Sequence, residues 1–266
     1  MLNSAKPARR YSKDQILKIR AAGRLVAECH ALMKKSVVPG VTTRQLDQMV
    51  EAHVLQAGGR PAWKGIIPAN DPKTPFPAIT CMSPDDMIVH GEPSDTPLRE
   101  GQIISIDIGA VVDGFIGDSA WTYPVGKISA EAARLLEVGE ASLMKGIAAA
   151  KAGGVVADIG RAVQQYAEAA RFSVVREYTG HGVGLSLWEP PQVPNYATLK
   201  DFLPGASPRL YAGMVLAIEP MINVGGPGTR NGRGEWPVYT ADGSLSCHFE
   251  HTVAIGENGC EIMTSL

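Results

Sequence analysis

Residues 103–124, IISIDIGAVVDGFIGDSAWTYP, combine two apolar, strand-like runs with carboxylates at positions where such runs normally carry apolar side chains. The Asp113-Gly114 pair between the runs predicts a hairpin turn. Asp107 interrupts the first run, and Asp118 is expected near the end of the second. A buried carboxylate is costly unless it is paired or bound to a cation. The hairpin therefore predicts a polar site inside the protein.

The segments around this hairpin predict an alternation of helix pairs and strands. Capping boxes at Ser12 and Thr42 open two amphipathic helices, of which the first ends at about Ser36 and the second at Gly58-Gly59. Along the chain, two helices, a group of strands, two further helices and further strands follow one another, and this order predicts an α+β fold. PGVTTRQLDQMV and GGVVADIGRAV are weakly alike, which fits an internal repeat and a chance similarity equally well. Strands are predicted at 78–82, 86–90, 102–110, 111–123, 173–178, 214–219 and 248–255, and further helices around 136–147 and 159–166.

Length, charge and cysteine content exclude several classes of protein. The 266 residues fit one large domain or two small ones, and the net charge of −2 offers no field for capturing nucleic acid. No run approaches the ~18 apolar residues that span a bilayer, and MLNSAKPARR does not lead into an apolar signal core. The four cysteines form no CxxC pair. We expect a soluble, unprocessed, cytoplasmic protein without membrane or nucleic-acid partners, and a monomer by default.

Three further polar residues lie in the apolar pattern. Glu219 ends the run VLAIEPM, Glu250 begins HFEHTVAI, and His181 lies in GHGVG, whose glycines leave the backbone free to bend and expose an imidazole. With Asp107 and Asp118 they form a hard, oxygen-rich ligand set that suits Mn, Fe, Co or Zn. Bridging carboxylates can hold two such ions roughly 3.5–4 Å apart. Taken singly, each residue could instead cap a turn, pair with an arginine or be a structural histidine.

The motifs resemble, in order and spacing, those of type I methionine aminopeptidases. They are VHGEP around His90, IDIGAVVDGFIGDSAWTYPVG, TGHGVG, AIEPM and FEHT. The resemblance begins in the first helix, with IRAAGRLVAE and VVPGVTTRQLD, and covers nearly the whole chain. It implies the pita-bread fold: a single metallopeptidase domain, 1–266, whose pseudo-symmetric halves, roughly 1–125 and 126–266, enclose a central metal site.

The resemblance also implies a role for each ligand and hence a function. Asp118 and Glu250 would bridge two divalent ions. Asp107 would chelate the second ion, while His181 and Glu219 would complete the first. Two such ions activate a shared water and polarise the scissile carbonyl, and Glu219 would carry the proton to the leaving amine. The implied activity is release of N-terminal methionine from nascent proteins and peptides.

The substrate site is implied in the same way. His90 would contact the substrate near the scissile bond, although a histidine at a strand end can also be structural. The pocket for the first side chain would be formed by Phe76, Cys81, Leu187 and Trp236, whose apolar, polarisable surfaces suit a thioether. Without the resemblance, the two aromatic residues would be interpreted as core.

The sequence departs from the family pattern at two places. Trp188 stands where the family has a second substrate-binding histidine, seven residues after His181. An indole has one donor and no acceptor, and loss of one oxyanion donor typically costs about 10²–10³ in rate. We therefore expect weakened methionine release or an altered substrate. The prolines between Pro61 and Pro77 predict an exposed loop. Its part 61–75 is longer than expected, and it either narrows the pocket mouth or is a surface insertion.

Two other functions remain open at this point. A related prolidase or X-Pro aminopeptidase would share the metal ligands, but such enzymes usually carry an extra N-terminal domain for which 266 residues leave little room. A non-catalytic pita-bread module that binds a peptide or a partner is favoured by Trp188. It is opposed by the ligand set, because a protein that needs no metal has no physical reason to keep four carboxylates in strands.

Overall fold

The computed structural model describes residues 8–67, 74–232 and 236–266, and in these ranges the predicted alternation of helix pairs and strands is found. The helices are α1 (Lys13–Ser36), α2 (Thr43–Gln56), α3 (Ala130–Ala149) and α4 (Val156–Ala169), with a short 3-10 helix at Leu199–Phe202. The strands are β1 (Arg60–Pro61), β2 (Thr80–Pro84), β3 (Met87–Val89), β4 (Ile103–Val112), β5 (Phe115–Pro124), β6 (Ser173–Val174), β7 (Gly180–Gly182), β8 (Glu189–Val193), β9 (Val215–Ile218), β10 (Met221–Asn223), β11 (Thr229–Asn231), β12 (Val238–Thr240), β13 (Ser246–His248), β14 (His251–Ile255) and β15 (Cys260–Ile262).

The two helix pairs have the same construction. In each pair a longer helix is followed by one of 14 residues. A glycine with positive φ precedes each second helix, Gly40 at 93° and Gly153 at 91°. The N-cap residues of these helices, Thr42 and Val155, each form an isolated antiparallel bridge. These shared details favour an internal repeat over a chance similarity.

All strand pairings in the described residues are antiparallel. In the first sheet β4 pairs with β5 along its whole length and with β1 and β2 along its other edge. A five-stranded sheet has the order β15-β14-β9-β7-β8, and two smaller sheets have the orders β13-β10-β6 and β11-β12-β3. Helices α1 and α2 pack an apolar core on β4, while α3 and α4 pack a second core on β9 and β14.

The two large sheets meet along β5 and β14, and the contact is made by hydrogen bonds. Ser119 Oγ donates to the carbonyl of Glu250 at 2.6 Å, and the Glu250 amide donates to the carbonyl of Ala120 at 2.8 Å. Thr252 Oγ1 donates to the carbonyl of Asp118 at 2.7 Å. These three hydrogen bonds therefore hold Asp118 beside Glu250.

The strands of the hairpin have other bounds than those predicted. Asp113 and Gly114 form its turn with φ of 50° and 81°, as predicted, and Val112 pairs with Phe115 across it. The second strand consequently begins at Phe115 and not at 111. Asp118 is the fourth residue of β5, so its expected position near the strand end is wrong.

Other boundaries also shift. The predicted strand 173–178 shortens to β6, and the predicted strand 248–255 divides into β13 and β14, because the Glu250 amide pairs with β5. Seven strands of the described residues were not predicted. Six of them have two or three residues, too few for an alternating pattern to show, and the seventh, β8, contains two prolines, which argue against a strand. In the proline-rich segment 61–75, Trp63 is buried, which contradicts a wholly exposed loop, and positions 68–73 lie outside the described residues.

Two further findings concern the whole described chain. The four cysteines are free thiols. Among the residues described, no helix combines the length and apolar character required to cross a membrane.

Candidate metal centre

The structure brings the five predicted ligands into one buried cluster. Ligand atoms of Asp118, His181 and Glu250 all lie within 4.8 Å of one another. His181 Nε2 is also 3.3 Å from Glu219 Oε1, and Asp107 lies close enough to Asp118 for its charge to raise the pKa of that carboxyl group. Asp118 and Glu250 are each only 1% exposed, so this cluster lies inside the protein.

Glycines explain how the strands deliver two of these side chains. A Cβ on Gly109, which pairs with Asp118 across the hairpin, would lie 3.2 Å from Asp118 Oδ1. A Cβ on Gly180 or Gly182 would lie 2.4 Å from a carbonyl oxygen of a neighbouring strand. The glycines around His181 therefore permit close strand packing. The expectation that they bend the backbone and expose the imidazole is wrong, because His181 is buried in β7.

Burial of several carboxyl groups side by side raises the pKa of three of them. Burial, with the neighbouring charges of Asp107 and Glu219, raises the pKa of Asp118 well above its ordinary value. Burial and the nearby Asp118 do the same to the pKa of Glu250. Burial raises the pKa of Asp107 to about 6. These groups therefore need a counter-charge to ionise together at neutral pH.

The pKa of Glu219 is shifted in the opposite direction, below its ordinary value. Burial alone would raise its pKa, but the imidazoles of His181 and His248 hold the pKa of Glu219 at about 2. Its Oε2 lies 3.4 Å from His248 Nε2, while its Oε1 faces His181. Glu219 is therefore the carboxylate that this site keeps charged.

The donor set fits a divalent cation. Asp118 Oδ1 and Glu250 Oε1 are buried and find no hydrogen-bond partner within the described part of the chain. Unpaired carboxylate oxygens are costly inside a protein, and a cation bound between them removes that cost. Three ligand atoms at this separation, two of them carboxylate oxygens, match the preferences of Mn, Fe, Co or Zn.

His90 directly follows β3, and aromatic side chains surround its ring. Its φ of 61° is unusual for a residue other than glycine, and such backbone geometry is concentrated at functional sites. Its ring centroid is 5.6 Å from that of Trp63, 5.8 Å from that of Tyr178 and 5.9 Å from that of Trp236. Burial lowers the pKa of His90 to about 4, so the imidazole is neutral at pH 7 and can donate one hydrogen bond.

The predicted pocket residues fall in one apolar cluster. Phe76, Cys81, Leu187 and Trp236 are all buried in it, and Trp188 packs against it while partly exposed. The Trp236 ring meets Phe76 edge-on at 5.2 Å, and its Nε1 donates to the carbonyl of Thr74. The structure thus assembles the predicted lining, and its role towards a substrate remains a prediction.

Three residues that sequence reasoning missed contact the predicted ligands. Trp63 Nε1 donates to Asp107 Oδ1 at 3.2 Å, and Asn195 Nδ2 donates to the carbonyl of Glu219 at 3.0 Å. His248 is the third. Its position two residues before Glu250 was a usable signal, because alternate residues of an extended chain share a face.

A buried polar group fixes the turn that carries Trp188. Glu189 Oε1 accepts hydrogen bonds from the amides of Leu185 and Ser186, each at 3.1 Å. The hydroxyl of Tyr11 donates to the Glu189 carboxylate at 2.8 Å. Tyr11, near the N-terminus, therefore helps to hold the turn beside the pocket, although it is distant from that turn in the sequence.

Comparisons with known proteins place this chain in a family. Residues 17–257 match the family model for metallopeptidase family M24. Methionine aminopeptidase 1 of Bacillus subtilis is 47% identical over 246 residues, which are 92% of this chain and 94% of that protein. The crystal structure of a methionine aminopeptidase from Thermotoga maritima superposes with a TM-score of 0.90 at 37% identity, covering 97% of this chain and 100% of that one.

A more distant likeness concerns the fold alone. The prolidase of Pyrococcus furiosus superposes with a TM-score of 0.75 at 20% identity, covering 97% of this chain and 65% of that one. The pita-bread architecture predicted from the sequence is confirmed by both kinds of structure.

Proposed function

The chain belongs to metallopeptidase family M24, and we propose that it removes N-terminal methionine from peptides and nascent proteins by means of two divalent cations. Relatives named methionine aminopeptidase are 36% to 47% identical to it over more than nine-tenths of its length. It therefore acts as a methionine aminopeptidase, a metallo-exopeptidase. The observation that supports the metal most directly is the pair of buried carboxylate oxygens, on Asp118 and Glu250, without a partner in the described residues.

The proposal assigns a place to each ligand. Asp118 and Glu250, held side by side by the hydrogen bonds of Ser119 and Thr252, would both hold the pair of ions. Asp107 would hold the second ion, and His181 and Glu219 would hold the first. The adjacency of the five side chains supports these assignments.

The chain's own residues then divide the chemistry. Divalent ions supply a Lewis acid for the scissile carbonyl and favour ionisation of a water nucleophile near neutral pH. Glu219, which the site keeps charged, would accept the proton of the attacking water and deliver it to the leaving amine. His90, neutral at pH 7, donates a hydrogen bond to the peptide near the scissile bond.

The lining of the proposed pocket supports a preference for methionine. Phe76, Cys81, Leu187 and Trp236 present aromatic, sulfur and aliphatic surface, and a flexible thioether makes favourable contacts with aromatic edges. Trp188 adds a further indole beside this lining. A long apolar first residue therefore finds contacts that a charged or short one does not.

Release of methionine under metal control tests the proposal. The chain is freed of metal, reloaded with Mn, Co, Fe or Zn, and offered Met-Gly, Met-Ala and Ala-Pro peptides with and without chelator. We expect methionine release from the first two that chelator abolishes, and the most active ion identifies the preferred metal. The variant Asp118→Asn, close in size but a poorer ligand, is expected to lose activity. Equal activity with chelator, or cleavage of Ala-Pro alone, would overturn the proposal.

The alternatives lose support. The prolidase likeness extends to the fold only, and a non-catalytic module does not account for the intact ligand cluster.

We further propose that residues 1–266 form a single domain of two halves, 1–125 and 126–266, acting as a monomer in the cytoplasm. The free cysteines support a reducing compartment, and light scattering with cell fractionation tests the oligomeric state and the location.

A further inference from the structure

A second buried imidazole lies against the metal centre, at the end of β13. His248 is 2% exposed. Its amide donates to Thr122 Oγ1 at 2.9 Å and to Ser105 Oγ at 3.2 Å, and its carbonyl accepts from Thr122 Oγ1 at 2.9 Å. The backbone of His248 is therefore anchored on the central hairpin, and its side chain has little freedom to turn away.

The imidazole of His248 faces one acceptor. Its Nε2 is fully buried, makes no well-formed hydrogen bond to any described residue, and lies 3.4 Å from Glu219 Oε2. Glu219 Oε1 points the other way, 3.3 Å from His181 Nε2. Asn195 Nδ2 meanwhile holds the carbonyl of Glu219 at 3.0 Å. Glu219 is therefore contacted on its backbone and on both carboxylate oxygens.

We propose that His248 is a positioning residue for Glu219, whose Nε2–H, facing Oε2 at 3.4 Å, keeps Oε1 directed at His181. The inference rests on the proposed function, because the direction of Oε1 matters only where a cation binds beside His181. Only one histidine was predicted in the ligand set, and His248 adds a second imidazole behind it.

His248 does not take the place of the histidine that Trp188 replaces. Trp188 meets Trp63 edge-on at 5.7 Å, on the side of the peptide pocket. His248 acts instead on the outer oxygen of a ligand. Groups that orient ligands in this way commonly change metal affinity or activity by about 10–100-fold when removed.

Metal affinity with matched variants tests this role. Mn²⁺ is titrated calorimetrically into the metal-free wild type, His248→Leu, His248→Gln and the surface control His53→Gln. We expect about 10–100-fold weaker binding for His248→Leu, which lacks a donor, and near wild-type binding for His248→Gln, whose amide retains one. At saturating metal, kcat should fall in His248→Leu while KM for Met-Ala stays constant. Wild-type affinity in His248→Leu, or equal losses in the Leu and Gln variants, would overturn the proposal.

A measurement on the wild type covers the case in which His248→Leu does not fold. Nitrogen-15 spectra of the metal-free, histidine-labelled chain show which ring nitrogens carry hydrogen, and His248→Gln identifies the signal. A protonated Nε2 supports the proposal, and a bare Nε2 contradicts it. If the metal-loaded wild type releases no methionine, the proposed function fails, while the titration and the spectra still decide the role of His248.

Discussion

The indole Nε1 of Trp63 donates a hydrogen bond to Oδ1 of Asp107 at 3.2 Å. Trp63 is 2% exposed, and its ring centroid lies 5.4 Å from that of Phe76 and 5.7 Å from that of Trp188. One side chain thus connects a proposed metal ligand with the lining of the peptide pocket.

Trp63→Phe separates these two contacts, because the aromatic ring is kept while the N–H is lost. We expect Mn²⁺ binding to weaken by about tenfold or more, as for other groups that orient metal ligands. Calorimetric titration measures the change. Trp236→Phe is the control, since it removes an indole N–H that donates to Thr74 instead. Unchanged affinity in Trp63→Phe would show that the bond to Asp107 does not orient the ligand.

Trp188→His tests the departure from the family pattern. The imidazole restores the donor that the family resemblance places at this position, and one oxyanion donor is typically worth about 10²–10³ in rate. We expect kcat for Met-Ala to rise by about tenfold or more. Trp188→Phe, which has no donor, should show no gain. If neither variant exceeds the wild type on any peptide that begins with methionine, Trp188 is not a weakened oxyanion contact.

The parts of the fold that could be predicted are those governed by local signals. The capping boxes at Ser12 and Thr42 form as predicted, because each needs only residues three positions apart. The buried carboxylates of Asp107 and Asp118 stood out against apolar neighbours for the same reason. Local patterning does not reveal which strand lies beside which.

The missed residues depend on such distant contacts. Trp63 lies 44 residues before its acceptor Asp107, in a segment whose prolines indicated an exposed loop. Tyr11 lies 178 residues before Glu189. Their roles arise from the packing of segments that are distant in the sequence, which no local periodicity encodes.

Tyr11→Phe tests the support of the 185–189 turn. Burial raises the pKa of Tyr11, so its hydroxyl stays protonated and donates to Glu189. Loss of a bond to a buried charge should lower the free energy of unfolding by roughly 1.5–3 kcal/mol. Because the turn carries Leu187 and Trp188, KM for Met-Ala should rise as well. Denaturant titration and steady-state kinetics measure the two effects.

Tyr211→Phe is the matched control. The Tyr211 hydroxyl donates to the carbonyl of Ala8 at 2.6 Å, so it ties down the same N-terminal segment without contacting the turn. It should destabilise the chain while leaving KM unchanged. A wild-type KM in Tyr11→Phe would mean that the turn keeps its shape without the hydroxyl.

Buried histidines should make stability fall in mildly acidic solution, and His30 allows a clean test. Its Nδ1 is 2.8 Å from the Tyr123 hydroxyl and its Nε2 is 2.9 Å from the carbonyl of Ser119, and burial lowers the pKa of His30 to about 4. The unfolded chain, with an ordinary histidine pKa of about 6.5, binds a proton that the folded chain excludes. Stability is therefore lost as the pH falls from about 6.5 to about 4, by up to roughly 1 kcal/mol per pH unit, and is unaffected above that window.

His30→Gln keeps a polar side chain of similar size but removes the titration. The difference in unfolding free energy between wild type and variant, measured by denaturant titration at several pH values, cancels the contributions of all other groups. We expect that difference to be constant above about pH 6.5 and to shift in favour of the variant as the pH falls towards 4, because only the wild type must keep this imidazole neutral. A difference that does not vary with pH would mean that His30 has the same pKa in the folded and in the unfolded chain.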